Sequence, residues 1–377
     1  MMKISSLSRK IGALVLALLT AGGLASCGGA DTDMPPPLST DVNYTEYRQS
    51  DSVDNVFLET PAGSYYLANY YVYFAEHGCL DYIKLCGKPD CTHDTEDCNA
   101  YIDSLRFAYY DGYIYYYVMD YSKVGYYLCR MNMDGTEHTE LKWLCDASGV
   151  SACSGFFDNG YLYFATSGMG VVGNSQSKFY YTALDDDKAP EELVSTADIG
   201  DYMEVIPHSG SLYFCTYYTS DEVIIQRYMI DSGKWSTIEG WSLYGSYFGD
   251  DKAYCYKPSD GFYEYDYDTE TMTRVKEADF LGRSGAYYQK DYIYVVQASD
   301  TKIADTETTF YIYDRSYNLV DSITMDMPRT DFRATYFYAD TGDYILLCCD
   351  FTDLTAPDYY LKKSEIGTGN MQLYKMG

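Results

Sequence analysis

One short module recurs along this chain and limits what the chain can fold into. A turn pair precedes a strand whose aliphatic centre is flanked by aromatic or other strand-forming residues. Asp111-Gly112 leads into Tyr113-Ile114-Tyr115, Asn159-Gly160 into Tyr161-Leu162-Tyr163, and Ser209-Gly210 into Ser211-Leu212-Tyr213. Asp250-Asp251 leads into Lys252-Ala253-Tyr254, Lys290-Asp291 into Tyr292-Ile293-Tyr294, and Gly342-Asp343 into Tyr344-Ile345-Leu346. A weaker first copy runs from Asn69-Tyr70 into Tyr71-Val72-Tyr73, and the aliphatic centres recur every 40 to 52 residues. Repetition at that period signals an array of similar units. Asn-Gly and Asp-Gly favour tight hairpins because both positions accept positive φ. Alternating Tyr, Ile and Val favour strands.

Most copies carry a second turn, as at Met133-Asp134-Gly135, Asp231-Ser232-Gly233, Asp268-Thr269-Glu270 and Gly367-Thr368-Gly369. Two hairpins make four strands per unit, the content of a propeller blade. No long segment beyond the first 26 residues has helical apolar spacing. The expected fold is all-β, a β-propeller over 55–377 with about seven four-stranded blades. Six or eight stay open, because Leu80–Leu85 follows Tyr71–Phe74 so closely that the first copy fits a third strand as well as a second. A ring closed by a blade shared between the chain ends predicts that Met371-Gln372-Leu373-Tyr374 pairs with Val56-Phe57-Leu58.

The composition narrows the function classes. With 56 acidic against 27 basic side chains the net charge is −29, which argues against a nucleic-acid partner because a polyphosphate is repelled. The 47 tyrosines exclude a disordered acidic tail, which lacks aromatics. Most tyrosines are expected to fill the gaps between blades with their hydroxyls at polar rims; those facing a concave mouth can stack on a ligand.

The first 26 residues read as an address. Lys3, Arg9 and Lys10 precede an apolar run of 14, residues 11–24, too short to span a bilayer and suited to a secretory leader. The run ends in Leu24-Ala25-Ser26-Cys27, which resembles the lipobox of bacterial lipoproteins. That resemblance implies a signal peptide over 1–26 and lipidation of Cys27. Residues 27–54 are polar, contain Pro35-Pro36-Pro37 and read as a flexible tether. The expected location is the cell membrane, held by the lipid and facing the extracellular side.

Cysteine supplies the one dense constellation. Of 12 cysteines, Cys86, Cys91 and Cys98 lie with His93 in a C-x4-C-x-H-x4-C spacing, and Cys79 is close by. Three readings are open: a Cys3His zinc site, since thiolates and imidazole suit tetrahedral Zn2+; a disulfide staple, natural outside the cytoplasm; or free thiols. Cys145 and Cys153 flank a blade boundary and could bridge it, whereas Cys215 and Cys255 read as core thiols. The adjacent Cys348 and Cys349 point to opposite faces of a strand.

No catalytic motif stands up. Gly168-Met169-Gly170-Val171-Val172-Gly173 matches G-x-G-x-x-G, but a strand rather than a helix follows it, so it reads as a hairpin loop. The acidic turns Asp185-Asp186-Asp187 and Asp250-Asp251 read as solvated loops, with Ca2+ as the sharper reading. His208 reads as a hairpin flank. The lipobox-like segment, the hairpins of the type Asp111–Tyr117 and the run from Leu85 to His93 continuing to Cys98-Asn99-Ala100-Tyr101 together resemble the Tyr-rich β-propeller lipoproteins of Gram-positive anaerobes, a TolB-like group. The resemblance implies a propeller and a surface location and brings no reaction with it. The expectation is an extracellular binding module for a glycan, peptide or protein, with no catalytic residue assigned and zinc or calcium the only cofactors left open. The alternatives are a secreted carbohydrate-active enzyme with acids at the propeller channel, or an envelope scaffold.

Overall fold

A computed structural model describes residues 56–147, 150–168, 178–195, 202–217, 223–242, 245–249, 251–278, 284–298, 307–326, 336–348 and 356–377. These residues form seven four-stranded antiparallel sheets arranged as a seven-bladed β-propeller. The blades span 57–84, 108–146, 150–195, 202–241, 246–277, 284–326 and 336–375. Every sheet runs in chain order, so each blade is a simple meander. The first strands of neighbouring blades approach one another, as Val150–Asp158 does Tyr202–His208, and so stand nearest the axis. Among the described residues the one helical element is a 3-10 turn, Lys363–Glu365. The expected signal peptide over 1–26, the expected lipidation site Cys27 and the expected tether over 27–54 lie outside the described residues.

The turn pairs do what their chemistry dictates. Asp111-Gly112, Asn159-Gly160 and Ser209-Gly210 all adopt positive φ at both positions, the type I′ geometry that matches strand twist. Each lies between the first and second strands of its blade. Blade 1 differs. It contains β1 (Phe57–Thr60), β2 (Gly63–Ala68), β3 (Tyr71–Ala75) and β4 (Ile83–Lys84). Asn69-Tyr70 joins β2 to β3, so the first repeat copy marks a third strand. The second strand follows Pro61-Ala62, a turn without the Asn/Asp-Gly signature.

Ring closure is a correction. β1 pairs with β2, and Tyr374–Lys375 pairs with Tyr359–Lys362, so among the described residues no blade is shared between the two ends. Seven complete blades need no shared strand, and blades 7 and 1 meet instead through side chains, with the Phe57 and Tyr338 rings 6.3 Å apart, edge to face.

Tyrosine and phenylalanine bridge the other boundaries. Tyr65 Oη donates to the Met133 carbonyl (3.1 Å) between blades 1 and 2, and Tyr110 Oη accepts from Gly160 N (2.7 Å) between blades 2 and 3. Phe179 meets Phe214, and Tyr213 meets Phe248, at 5.6 and 4.8 Å across the next two. Tyr317 Oη donates to Glu264 (3.1 Å), and Tyr294 Oη to Asp340 (2.9 Å), across the last two. Large rings fill the wedge between twisted sheets, and their hydroxyls reach polar partners there.

Candidate functional site

The outer edge of blade 1 carries the cysteine constellation. β4 covers only the Tyr73–Phe74 end of β3. The chain then leaves the sheet at Leu85, whose N–H donates to the Val72 carbonyl (2.9 Å), and returns at residues 100–102. There Val72 N donates to Ala100 O (2.8 Å) and Ile102 N to Tyr70 O (2.9 Å), so Tyr101 bridges to Tyr71. Residues 86–99 are therefore a closed excursion with both ends fixed on one strand edge. Blade 2 consists of β5 (Ala108–Tyr110), β6 (Tyr113–Asp120), β7 (Gly125–Asn132) and β8 (Thr139–Asp146). Its β7–β8 turn packs against the excursion. A Cβ on Gly135 would stand 2.3 Å from the Leu85 carbonyl, and His138 Nε2 donates to the Asn99 carbonyl (2.9 Å) in the matching tautomer. Leu85, Cys98, Ala100 and Ile102 join the apolar cluster between blades 1 and 2.

Inside the excursion Cys86, Cys91, His93 and Cys98 each present one donor atom, all within 4.8 Å of one another. Cys98 Sγ lies 3.6 Å from His93 Nδ1. His93 N donates to Cys91 Sγ and Ala100 N to Cys98 Sγ, both at 3.4 Å. Lys88 and Asn99 offer their backbone N–H groups to Cys86; burial opposes ionisation there, yet these and the neighbouring thiols draw its thiol down to about 6. Burial, the largest effect at Cys98, pushes its thiol up to about 11. Lys84 Nζ donates to the His93 carbonyl, and Lys88 Nζ to the Asp97 carbonyl (2.5 Å). Three sulfurs and an imidazole nitrogen are a donor set for a soft tetrahedral metal ion.

The sequence grouped Cys79 with these four. The structure leaves it out: Cys79 is exposed in the β3–β4 connection. None of Cys79, Cys86, Cys91 and Cys98 is joined in a disulfide here. Cys255 is buried in the core and Cys215 packs against it, as expected. The Cys153 side chain and Cys349 lie outside the described residues.

Beside the thiols lies a cavity of about 650 Å3 lined by Asn69, Tyr70, Tyr71, Asp94, Thr95, Glu96, Asp97 and Tyr101. Tyr101 stands 5.6 Å from Tyr71, edge to face, and 6.2 Å from Tyr70. Burial first, and then the nearby anionic groups, raise the Tyr71 and Tyr101 phenols, so both stay neutral. The Lys84 ammonium sits 3.8 Å from the Tyr71 ring centroid, a cation on an aromatic face. Tyr70 is the odd member. It has φ +67°, at the turn position where blades 2, 3 and 4 place glycine in their own hairpins, and it is 41 % exposed. A bulky side chain there costs about 1–2 kcal/mol. Sequence reasoning missed this cup. Two signals were present: a tyrosine in the glycine place of a tight turn, and the acidic spacer Asp-Thr-Glu-Asp between two candidate ligands.

The other acidic features have structural employment. Asp186 Oδ1 accepts from the buried Lys142 ammonium at 2.7 Å, tying blade 3 to blade 2. Asp340 accepts from Lys363 (2.8 Å) and Tyr294, and Glu59 lies 3.6 Å from His77. Asp250 and most of the Gly168–Gly173 motif lie outside the described residues, and the next described element, Lys178–Ala183, is a strand. His208 ends a first strand and stacks on Tyr267 at 5.1 Å, the hairpin flank expected of it.

No family model and no curated protein sequence matches the chain. Solved structures do. A puromycin-hydrolyzing peptidase of Mycobacterium tuberculosis superposes with TM-score 0.54 at 13 % identity, over 91 % of this chain and 56 % of that one. A puromycin hydrolase gives 0.53 at 10 % identity over 91 % and 56 %, and a prolyl endopeptidase structure gives 0.50 at 9 % over 88 % and 49 %. The chain thus spans about half the length of these structures. At such identities the likeness shows the propeller fold alone.

Proposed function

We propose that this β-propeller is a binding module, held at the outer face of the cell membrane through lipidated Cys27. Its ligand is an extracellular peptide or protein segment bearing Lys or Arg. The location rests on the lipobox-like Leu24-Ala25-Ser26-Cys27 and the tether after it, the features shared with the Tyr-rich lipoproteins of Gram-positive anaerobes. The observation that carries the binding reading is the cup. Three tyrosines and three acidic residues line one cavity, with Tyr70 held in a strained backbone conformation. Aromatic faces and carboxylates together attract ammonium and guanidinium groups. Strain kept at an exposed aromatic is a mark of function. The net charge of −29 steers basic partners towards the surface and repels acidic ones. Glycans, which stack on rings without needing three carboxylates, fit the cup less well.

Calorimetric titration of the full chain with trilysine, triglutamate and a neutral oligosaccharide tests this. Trilysine is expected to bind with a Kd of about 0.1 mM, weakening as salt rises, and the other two not at all. Tyr70→Ala should weaken it about fivefold and Glu96→Gln about threefold. Binding of the oligosaccharide alone, or equal binding of all three, contradicts the proposal. Incorporation of labelled fatty acid into the wild type but not into Cys27→Ser tests the anchor.

A further inference from the structure

We propose that Cys86, Cys91, His93 and Cys98 hold one Zn2+ ion, and that this ion builds the acidic wall of the cup. The second half rests on the binding reading above; the first does not.

The donor geometry comes first. Tetrahedral zinc, with Zn–S of about 2.3 Å and Zn–N of about 2.0 Å, sets its ligand atoms about 3.5–3.8 Å apart. Cys98 Sγ and His93 Nδ1 already stand at 3.6 Å, and no pair in the set exceeds 4.8 Å. A disulfide explains the cluster less well, because it brings two sulfurs together and leaves a third thiol and the imidazole with no reason to converge. Calcium and magnesium want oxygen donors, so this set selects a soft ion. Four protein donors close the coordination sphere and leave no position for substrate, which makes the centre structural.

The surroundings fit the ligands in their metal-binding form. All three sulfurs accept an N–H from the residue two places on: Lys88 to Cys86, His93 to Cys91 and Ala100 to Cys98. Such outer contacts orient and stabilise thiolate ligands. On binding, each sulfur forms a bond to zinc as a thiolate, any thiol still protonated releasing its proton to solvent, and neutral His93 supplies its Nδ1 lone pair. Three thiolates and Zn2+ leave one negative charge. The Lys84 and Lys88 ammonium groups, both bonded to carbonyls of the excursion, lie where they offset it.

The link to the cup is one of chain connectivity. The spacer between ligands His93 and Cys98 is Asp94, Thr95, Glu96 and Asp97, which is half of the cup lining. A metal ion fixes both ends of that spacer, with the facing Tyr70, Tyr71 and Tyr101 fixed by β3 and its bridge. Residues 86–99 form no strand, so without the ion the Asp94–Asp97 spacer loses its tie at His93 and keeps only the buried Cys98 end. The carboxylates then lose their position relative to the rings.

The test uses the full chain purified from zinc-replete culture without added metal. The wild type and Cys79→Ser should each carry about one zinc by elemental analysis, and Cys98→Ser close to none. Trilysine should bind the first two equally and Cys98→Ser about tenfold more weakly. Should Cys98→Ser fail to fold, Co2+ exchanged into the wild type gives an independent readout, expected to show the charge-transfer and d–d bands of a tetrahedral thiolate site. Wild-type protein without zinc, or with Cys86, Cys91 or Cys98 in a disulfide, overturns the centre. One zinc in the wild type with undiminished trilysine binding to folded, zinc-free Cys98→Ser overturns the link and leaves the cup standing. One zinc with no trilysine binding anywhere overturns the cup and the link while upholding the centre.

Discussion

Blades 1 and 2 are neighbours, yet they finish their outer edges by opposite means. Blade 2 ends in the eight-residue β8, held along its length by β7. Blade 1 ends in the two-residue β4, followed by an excursion that returns to the same strand edge only at residues 100–102. A ladder distributes its hold over many backbone bonds and needs only strand-forming residues. The blade 1 excursion has no ladder: it is tied by Leu85 and Cys98 in the core, by His138 and Lys84 bonded to its carbonyls and, on the zinc proposal, by four donor atoms at one point. A ladder tolerates the loss of any one side chain; a point does not. The excursion gains in exchange a loop shape that no strand can adopt, and the cup is built from it.

The largest expected effect follows from this contrast. Cys98→Ser, or removal of metal by a chelator, should raise proteolytic cutting within 86–98 about 100-fold, a factor worth about 2.7 kcal/mol of binding linkage, while cutting within 139–146 stays unchanged. Equal sensitivity of both segments would erase the distinction between the two edges.

Next comes a boundary held by side chains without a loop. Tyr294→Phe deprives Asp340, 2.9 Å away and itself largely buried, of one donor across blades 6 and 7. Its cost in urea unfolding should be about 1–3 kcal/mol. Tyr65→Phe, which only frees a backbone carbonyl beside the excursion, should cost about 1 kcal/mol. The reverse order would place the stronger bridge at blade 1.

Tyr70→Gly sharpens the comparison with the opposite sign. Relief of the positive φ should stabilise the chain by about 1 kcal/mol while trilysine binding falls. A loss of stability would mean that the ring serves packing.

Titration should also separate the blades. In blade 2, the Ser122 side chain and the turn's backbone N–H groups hold Asp120 down to about 2. Its contribution is complete above its unfolded value near 4 and is lost as pH falls towards 2. In blade 1, burial outweighs His77 and raises the Glu59 carboxyl. That contribution is complete below the unfolded value and is lost as pH rises through the folded one. Asp120→Asn should therefore flatten the thermal stability profile on the acid side, and Glu59→Gln on the side above pH 4.5. The smallest effect is expected of Cys79→Ser, which should leave zinc content and stability unchanged because the thiol is exposed and outside the donor set.

Much of this was legible in the residues. Asp111-Gly112, Asn159-Gly160 and Ser209-Gly210 encode their hairpins locally, through backbone preferences that no tertiary contact needs to supply, and with the polar turn pairs before Lys252, Tyr292 and Tyr344 they placed six of the seven second strands. The blade 1 second strand was hidden because Pro61-Ala62 carries no such preference. Cys86, Cys91, His93 and Cys98 stood out by chemistry, whereas the exclusion of Cys79 depends on the path of the β3–β4 turn. The cup was illegible for a further reason. Tyr101 meets Tyr70 and Tyr71 only because the excursion rejoins the edge of β3, a pairing over some 30 residues with no local signature.

X-ray absorption at the zinc edge of the purified full chain asks the question most directly. The account predicts a first shell of three sulfurs at about 2.3 Å and one nitrogen at about 2.0 Å, lost in Cys98→Ser. A shell of oxygen and nitrogen alone, or an edge without bound zinc while the thiols remain reduced, would contradict it.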